Sequence, residues 1–204
     1  MPPIVQTVGI AVGAYVLGCA NAGYYIVRGR TGTDIRTQGS GNAGARNVGR
    51  VLGRMGFAIV FALDALKGAA AVWAAGLLVP TPWAMGVAAI AVIIGHVLPI
   101  QLQFKGGKGV STAFGALLVL TPWVAIAGLL LAAVFVLISR QEVPSGTVAF
   151  MTMPALAWGF GYPTPDVVAV CAMTALLLVT HRDTVSELAA KMSGAHHNVS
   201  GADR

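Results

Sequence analysis

Long apolar segments, separated by short polar or Gly- and Pro-containing segments, make up most of the chain. They cover residues 4–27, 57–79, 83–100, 110–120, 123–138, 146–160 and 167–180. Most approach the ~20 residues with which a helix crosses the bilayer core. Segment 110–120 spans only about 16 Å at helical rise, so it crosses only if the glycine-rich loop before it enters the membrane. The pattern predicts an all-α integral membrane protein: a seven-helix transmembrane bundle forming one domain (residues 1–192), then a polar tail at 193–204.

The charged residues agree with this prediction and orient it. Only 10% of the chain is charged, against about 25% in ordinary soluble domains. Lys and Arg follow the first, third, fifth and seventh segments and are absent from the other connections. The positive-inside rule therefore places the N-terminus outside and the C-terminus in the cytoplasm. The net charge of +6 is explained by this topology, so we expect a lipid bilayer and no nucleic acid as partner.

One glycine-rich stretch, residues 95–115, has the composition of an anion site. Gly106, Gly107 and Gly109 allow the backbone to approach a ligand closely, and Lys105 and Lys108 add positive charge. The apolar run that begins after them can present a helix N-terminus to the same anion. A Walker phosphate loop is excluded because the required glycine and hydroxyl positions do not match. The alternative without a binding role is a flexible basic turn between membrane helices.

The first polar loop contains GSGNAGARNVGR at residues 39–50. Residues 39–44 match the dinucleotide fingerprint G-x-G-x-x-G, but no strand precedes them and no βαβ unit surrounds them. Ser40, Asn42 and Asn47 instead supply hydrogen-bonding groups, and Arg50 supplies a guanidinium fork suited to phosphate.

Two further features lie within or beside the apolar segments. Asp64 and Lys67 are one helical turn apart, and because intramembrane charges are costly we favour a structural ion pair over direct chemistry. His181 closes the last segment, where its side chain can reach the predicted cytoplasmic face. Cys19 and Cys171 lie in apolar runs without metal-ligand spacing, so no metal site is predicted.

These motifs together resemble those of the PlsY family, the membrane acyl-phosphate:glycerol-3-phosphate acyltransferases. SGNAGARNVGR is similar to the first family signature, with Arg46 where the family usually has Thr. GH followed by FKGGKGV–ST–A is similar to the second, and Asp64-Ala-Leu-Lys67-Gly68 fits a D-x-x-K-G motif. HRDT at 181–184 resembles the third signature, H-R-x-N, with Thr184 in place of Asn. Ser145 is a weak candidate for a family serine that is displaced in this chain.

The resemblance implies transfer of an acyl group from acyl phosphate to the 1-hydroxyl of sn-glycerol 3-phosphate, giving lysophosphatidate and phosphate. This is the first acylation of phospholipid synthesis, carried out at the bacterial cytoplasmic membrane on its cytoplasmic side. It implies no cofactor, no metal and no obligate protein partner. The implied catalytic residues are His181, Lys105 and Ser40. The implied substrate or phosphate ligands are Arg50, Asn42, Asn47, Arg46, Lys108, Gly106, Gly107, Gly109, His96 and Thr184.

Three questions stay open at the level of sequence. The base is either His181 or a substrate phosphate oxygen, because no obvious carboxylate supports the histidine. Arg46, Thr184 and the altered segment 139–147 are also compatible with a diverged member that uses another acceptor or lacks activity. The third open question is whether the protein is instead a small anion transporter, which would use the same basic loops. A transporter predicts repeat symmetry between the halves, and none is visible in the sequence.

Overall fold

The computed structural model describes residues 2–140, 142–182 and 185, without the side chains of 139 and 142–145. Its α-helices are α1 Pro3–Cys19, α2 Ala22–Thr31, α3 Ala45–Leu78, α4 Ala84–Val97, α5 Val110–Leu120, α6 Pro122–Ser139, α7 Glu142–Gly159 and α8 Thr164–Thr180. Short 3-10 turns lie at Ile35–Thr37 and Ile100–Leu102. No strand occurs in the described part of the chain, and the predicted all-α class is confirmed.

Within the described residues, three helical stretches are long and apolar enough to cross a membrane: Pro3–Thr31, Ala45–Leu78 and Ala84–Leu102. Shorter apolar helices lie at Val110–Leu120, Pro122–Ile138 and Thr164–Thr180. The helices coincide broadly with the seven apolar segments of the sequence. The number of spans and the orientation of the termini stay predictions.

The first apolar segment differs from its prediction because it is two helices rather than one. α1 ends at Cys19 and α2 begins at Ala22, which frees backbone carbonyls within the first apolar segment. Cys19 O accepts hydrogen bonds from Gln101 Nε2 at 2.5 Å and Asn21 Nδ2 at 3.3 Å. Ala20 O accepts one from Lys67 Nζ at 2.8 Å. A break inside an apolar span is tolerated because protein side chains satisfy the freed groups.

The helix of the second apolar segment, α3, begins earlier than the apolar pattern indicates. Residues 45–56, predicted as loop, form the first turns of α3. The helix kinks at Gly53, whose φ of 74° is left-handed, a conformation that glycine adopts without a Cβ penalty. This kink separates the polar first turns, which carry Arg46 and Arg50, from the membrane-spanning part.

Close backbone contacts at glycines hold the bundle together. A Cβ at Gly95 of α4 would overlap the Tyr15 carbonyl of α1, and one at Gly115 of α5 would overlap the Ala65 carbonyl of α3. Small residues at helix crossings are the usual means of helix association in membranes. The N-termini of α3 and α5 lie at the same end of the bundle as the C-termini of α4 and α8, where the polar motifs meet.

Candidate active site

A cavity of about 280 Å³ lies at this polar end of the bundle. One part of its lining is polar or cationic and another is aromatic and aliphatic. The lining residues are Ser40, Asn42, Gly44, Ala45, Arg46, Arg50, Phe57, Phe61, Asp64, His96, Lys108, Gly109, Val110, Ser111, Gly146, Phe150 and His181. The fold thus joins residues from the first loop, the glycine-rich loop, the intramembrane acidic position and the end of α8.

The first loop is shaped by Asn47, whose side chain is 1% exposed. Its Nδ2 shares two hydrogens among the carbonyls of Ile35 at 3.1 Å, Gln38 at 2.9 Å and Asn42 at 2.9 Å. Its Oδ1 accepts from the Ser40 amide at 2.9 Å. The amide group is therefore used inside the loop. Asn47 was predicted as a substrate ligand, but the structure places it behind the lining, where it organises the residues that form it.

Ser40 and Asn42 form the polar edge of the cavity. Asn42 Nδ2 donates to Ser40 Oγ at 2.9 Å, and Asn42 Oδ1 accepts from the Gly44 amide at 3.0 Å. Arg46 and Arg50 follow on one face of the first turns of α3 and also line the cavity. The helix N-terminus adds positive potential to that of the two guanidinium groups. This edge suits a phosphate.

The glycine-rich loop is folded back onto the end of α4. The amide of Gly106 donates to Val97 O at 3.0 Å, and the amide of Gly107 donates to His96 O at 3.1 Å. A Cβ at Gly107 would overlap the His96 ring, so glycine is required there for the close approach. Gly106 and Gly107 were predicted as phosphate ligands, but their amides are committed to building the loop. Gly109 lines the cavity.

The two lysines of this loop are placed differently. Lys108 lines the cavity, whereas Lys105 is exposed and is not among the described lining residues. The chain bends between them and α4 because Gln103 and Phe104 both have left-handed φ, 55° and 59°. The predicted catalytic role of Lys105 is therefore not supported by its position, and the geometry favours Lys108.

Asp64 and Lys67 form the ion pair that their spacing predicts, with Nζ 2.8 Å from Oδ1. Both residues are buried, and a third buried residue, His96, joins them: its Nδ1 lies 2.9 Å from Lys67 Nζ. Asp64 and His96 face the cavity, while Lys67 lies behind them and binds Ala20 O. The cluster connects the cavity to the break between α1 and α2.

His181 follows the last turn of α8 and is also buried. Its Nδ1 lies 2.9 Å from the Leu177 carbonyl and 3.1 Å from Thr180 Oγ1. A carbonyl oxygen only accepts hydrogen bonds, so Nδ1 carries the proton and Nε2 keeps a lone pair. Burial lowers the pKa of His181, and the positive charges of Lys108 and Arg46 lower it further against the opposing Leu177 hydrogen bond. The ring is therefore neutral near pH 7.

Some lining residues were not singled out from the sequence. Ser111 stands in the first turn of α5, and three aromatic side chains, Phe57, Phe61 and Phe150, form the apolar wall. Phe57 and Phe61 stack with centroids 5.8 Å apart. Their i,i+4 spacing beside a polar loop was the available signal. Thr184 and the side chain of Ser145 lie outside the described residues, so their roles stay predictions.

No group of three or more His, Cys, Asp or Glu side chains that could hold a metal ion occurs in the described part of the chain.

The family model described as glycerol-3-phosphate acyltransferase matches residues 8–191. The chain belongs to this acyltransferase family.

Similar proteins match this chain over most of its length. A glycerol-3-phosphate acyltransferase of Shewanella halifaxensis is 38% identical, over 90% of this chain and 92% of its own. Glycerol-3-phosphate acyltransferase 1 of Desulfitobacterium hafniense is 37% identical, over 89% of this chain and 90% of its own. Among solved structures, the glycerol 3-phosphate form of PlsY, an integral membrane acyltransferase, superposes with a TM-score of 0.82 at 30% identity, covering 95% of this chain and 96% of that one. Its lysophosphatidic acid form gives 0.81, also at 30% identity, covering 91% and 92%.

Proposed function

We propose that this protein transfers an acyl group from acyl phosphate to the 1-hydroxyl of sn-glycerol 3-phosphate, producing lysophosphatidate and inorganic phosphate. One observation carries the proposal: a single cavity combines three cationic side chains, a neutral histidine with a free Nε2 lone pair, and an aromatic wall. Membership of the glycerol-3-phosphate acyltransferase family supports the acceptor, and the two PlsY forms support both acceptor and product.

Two phosphate groups explain the charge of the cavity. The acceptor and the acyl phosphate are both anionic, and Arg46, Arg50 and Lys108 line the space that would receive them. Charge-assisted hydrogen bonds from guanidinium groups are short and strong and fit phosphate in pairs. The N-termini of α3 and α5 add positive potential at the same place. Such a cavity favours two anions held side by side.

The acyl chain has a separate place. The apolar lining residues include Phe57, Phe61, Val110 and Phe150. Phe57 and Phe61 lie beyond the Gly53 kink, in the apolar part of α3. An acyl group lying along this wall stays in an apolar environment while its phosphate reaches the cations. The donor can therefore enter from the bilayer and the acceptor from the aqueous side.

The chemical step is an acyl transfer between two oxygens. The 1-hydroxyl oxygen attacks the acyl carbonyl carbon, a C–O ester bond forms, and the C–O bond to phosphate breaks with its electron pair leaving on phosphate. His181 Nε2 accepts the hydrogen bond of the attacking hydroxyl. The hydroxyl proton passes either to Nε2 or to an oxygen of the departing phosphate. Arg46, Arg50 and Lys108 stabilise the negative charge that develops in the transition state.

We also propose that the cavity opens to the cytoplasm in a seven-span arrangement with the N-terminus outside. The support is the distribution of Lys and Arg, which places the polar end of the bundle on the cytoplasmic side. Labelling of single cysteines in intact cells tests this: a cysteine at Gly32 should be shielded from impermeant reagents and one at Gly161 should react. The opposite pattern refutes the orientation.

The donor is tested by comparing palmitoyl phosphate and palmitoyl-CoA with the purified protein and radiolabelled glycerol 3-phosphate. Lysophosphatidate formed only from the acyl phosphate supports the proposal, whereas use of the thioester alone overturns the donor assignment. The transporter alternative predicts uptake of labelled glycerol 3-phosphate into protein-containing liposomes without any acyl donor. Uptake of that kind, without product, would replace the enzymatic proposal.

A further inference from the structure

A second cavity lies outside the candidate active site, between α2 and the kinked part of α3. Its volume is about 300 Å³. Each helix contributes four lining residues, none of which lines the first cavity: Tyr25, Ile26, Gly29, Arg30, Leu52, Met55, Gly56 and Ile59. We call this cavity the α2–α3 groove. Arg50 and Phe57, within two residues of the groove along α3, line the first cavity, so the groove lies at the same polar end of the bundle.

Glycines leave the α2–α3 groove open. A Cβ at Gly29 of α2 would meet nothing within 4 Å, and the same holds at Gly53, where a left-handed φ of 74° kinks α3. At Gly56 a Cβ would overlap Leu52, so this lining position stays without a side chain. The gap between the helices therefore follows from the sequence, and we expect a larger side chain at Gly29 to fill it.

The walls of the groove are apolar and exposed. Met55 is 72% exposed, Tyr25 is 51% exposed and Ile59 is 40% exposed. Within a bilayer such surfaces contact acyl chains, because lipid tails are as apolar as aliphatic side chains. Apolar exposure alone therefore does not distinguish a site on a membrane protein. The distinguishing feature is Arg30, a permanent cation that lines the same groove.

The acidic side chains that the structure describes do not neutralise Arg30. Asp34 and Asp64 are each held in an ion pair with another basic residue, at 2.6 Å and 2.8 Å. Asp166 lies in the first turn of α8, at the opposite end of the bundle. Arg30 therefore presents its charge to the occupant of the groove. Basic pockets between transmembrane helices on the cytoplasmic side bind the head groups of anionic lipids.

We propose that the α2–α3 groove binds one anionic phospholipid of the surrounding bilayer. The lipid phosphate accepts charge-assisted hydrogen bonds from the Arg30 guanidinium, and part of one acyl chain lies along Met55 and Ile59. A free phosphate would leave the apolar walls uncovered, and a zwitterionic lipid would bring a positive group close to the guanidinium. The site is separate from the acyl-transfer cavity and does not depend on the proposed function.

Lipid binding is measured by native mass spectrometry of the full-length protein in detergent, titrated with phosphatidylglycerol or phosphatidylcholine that carry the same acyl chains. We expect the first phosphatidylglycerol to bind more tightly than the first phosphatidylcholine. Arg30→Gln should weaken phosphatidylglycerol binding about fivefold, the contribution of one arginine near an anionic lipid. Arg28→Gln is the matched control, because Arg28 is exposed on the same helix but does not line the groove. Equal binding of the two lipids, or an equal loss in the two variants, would refute the proposal.

Variants of Gly29 separate binding in the groove from general attraction to the basic surface. Gly29→Leu fills the apolar part of the groove and removes no charge, and Gly29→Ala is the control with a small side chain. We expect Gly29→Leu to lose the tightest phosphatidylglycerol binding and Gly29→Ala to keep it. Unchanged binding in Gly29→Leu would overturn the groove as the site, even if Arg30→Gln binds the lipid weakly.

Lysophosphatidate is the competing occupant. If the wild type binds lysophosphatidate more tightly than phosphatidylglycerol, and Arg30→Gln weakens that binding, the groove is a product site and the phospholipid assignment is wrong.

Folding and activity are followed in the same variants. Neither Gly29 nor Arg30 lines the first cavity, so their variants should keep wild-type acyl transfer and the melting temperature of wild type in lipid-free detergent. A loss of lipid binding then reports the groove rather than unfolding. Wild-type protein that binds the anionic lipid as expected but transfers no acyl group would refute the proposed function and leave the lipid site standing.

Discussion

Asn47 offers the sharpest test of how the first loop is built. Asn47→Ala removes the hydrogen bonds of the two Nδ2 hydrogens, which are shared among three carbonyls, and the one that Oδ1 accepts from the Ser40 amide. Each contributes about 1 kcal/mol net, and water can reach some of the freed groups, so we expect a loss of about 3 kcal/mol. For a chain of this size that corresponds to a fall of about 6–12 °C in melting temperature.

The assay is thermal unfolding of the purified protein in detergent, followed by tryptophan fluorescence, together with steady-state kinetics below the transition. Asn42→Ala is the matched control because Asn42 makes two polar contacts, is only half-buried and lines the cavity. We expect it to change the melting temperature less and KM for glycerol 3-phosphate more. If Asn47→Ala melts like wild type and raises only KM, Asn47 binds substrate and the loop argument is refuted.

Three further predictions follow from packing, position and charge. Gly115→Ala should lower the melting temperature by several degrees because its Cβ meets the Ala65 carbonyl, while Gly9→Ala, with nothing within 4 Å, should not; equal melting refutes the packing argument. Lys108→Ala should reduce kcat/KM by about tenfold or more, and Lys105→Ala should change it little; the reverse order would return the cavity role to Lys105. The pKa of His181 is lowered from 6.5, so its neutral form persists as pH falls through that value, and kcat/KM should decline only at lower pH. A decline centred at or above 6.5 would contradict this.

The parts of the structure that depend on local spacing were predictable. Asp64 and Lys67 pair because residues three apart share a helix face, and that relation needs no knowledge of the fold. Runs of apolar residues likewise predict helices wherever a bilayer must be crossed. The first-loop residues Ser40, Asn42 and Arg50 do line the cavity, as expected from their grouping in one polar segment.

The parts of the structure that depend on chain direction or on contacts between distant residues were not predictable from the sequence. Lys105 and Lys108 are equivalent by composition, but only Lys108 is among the described lining residues, and the loop that carries both follows left-handed backbone at Gln103 and Phe104. Neither Gln nor Phe is a residue type that predicts a left-handed φ. His96 contacts Lys67, 29 residues earlier in the chain, through helix packing that no spacing rule expresses.

The break between α1 and α2 was hidden for a related reason. No Pro lies at the break, and the single polar residue Asn21 interrupts a run that is apolar on both sides. Lys67 and Gln101, from other elements, satisfy the carbonyls freed there. Tertiary partners, rather than local propensity, make the interruption stable.

The central claim is that acyl phosphate and glycerol 3-phosphate meet in one cavity and react there. The most direct measurement is phosphate release from palmitoyl phosphate by the purified protein in lipid, with and without glycerol 3-phosphate, alongside detection of lysophosphatidate. The account predicts release that depends on the acceptor, with one lysophosphatidate formed per phosphate. Folded protein that releases no phosphate, or releases it equally without the acceptor, would contradict the account.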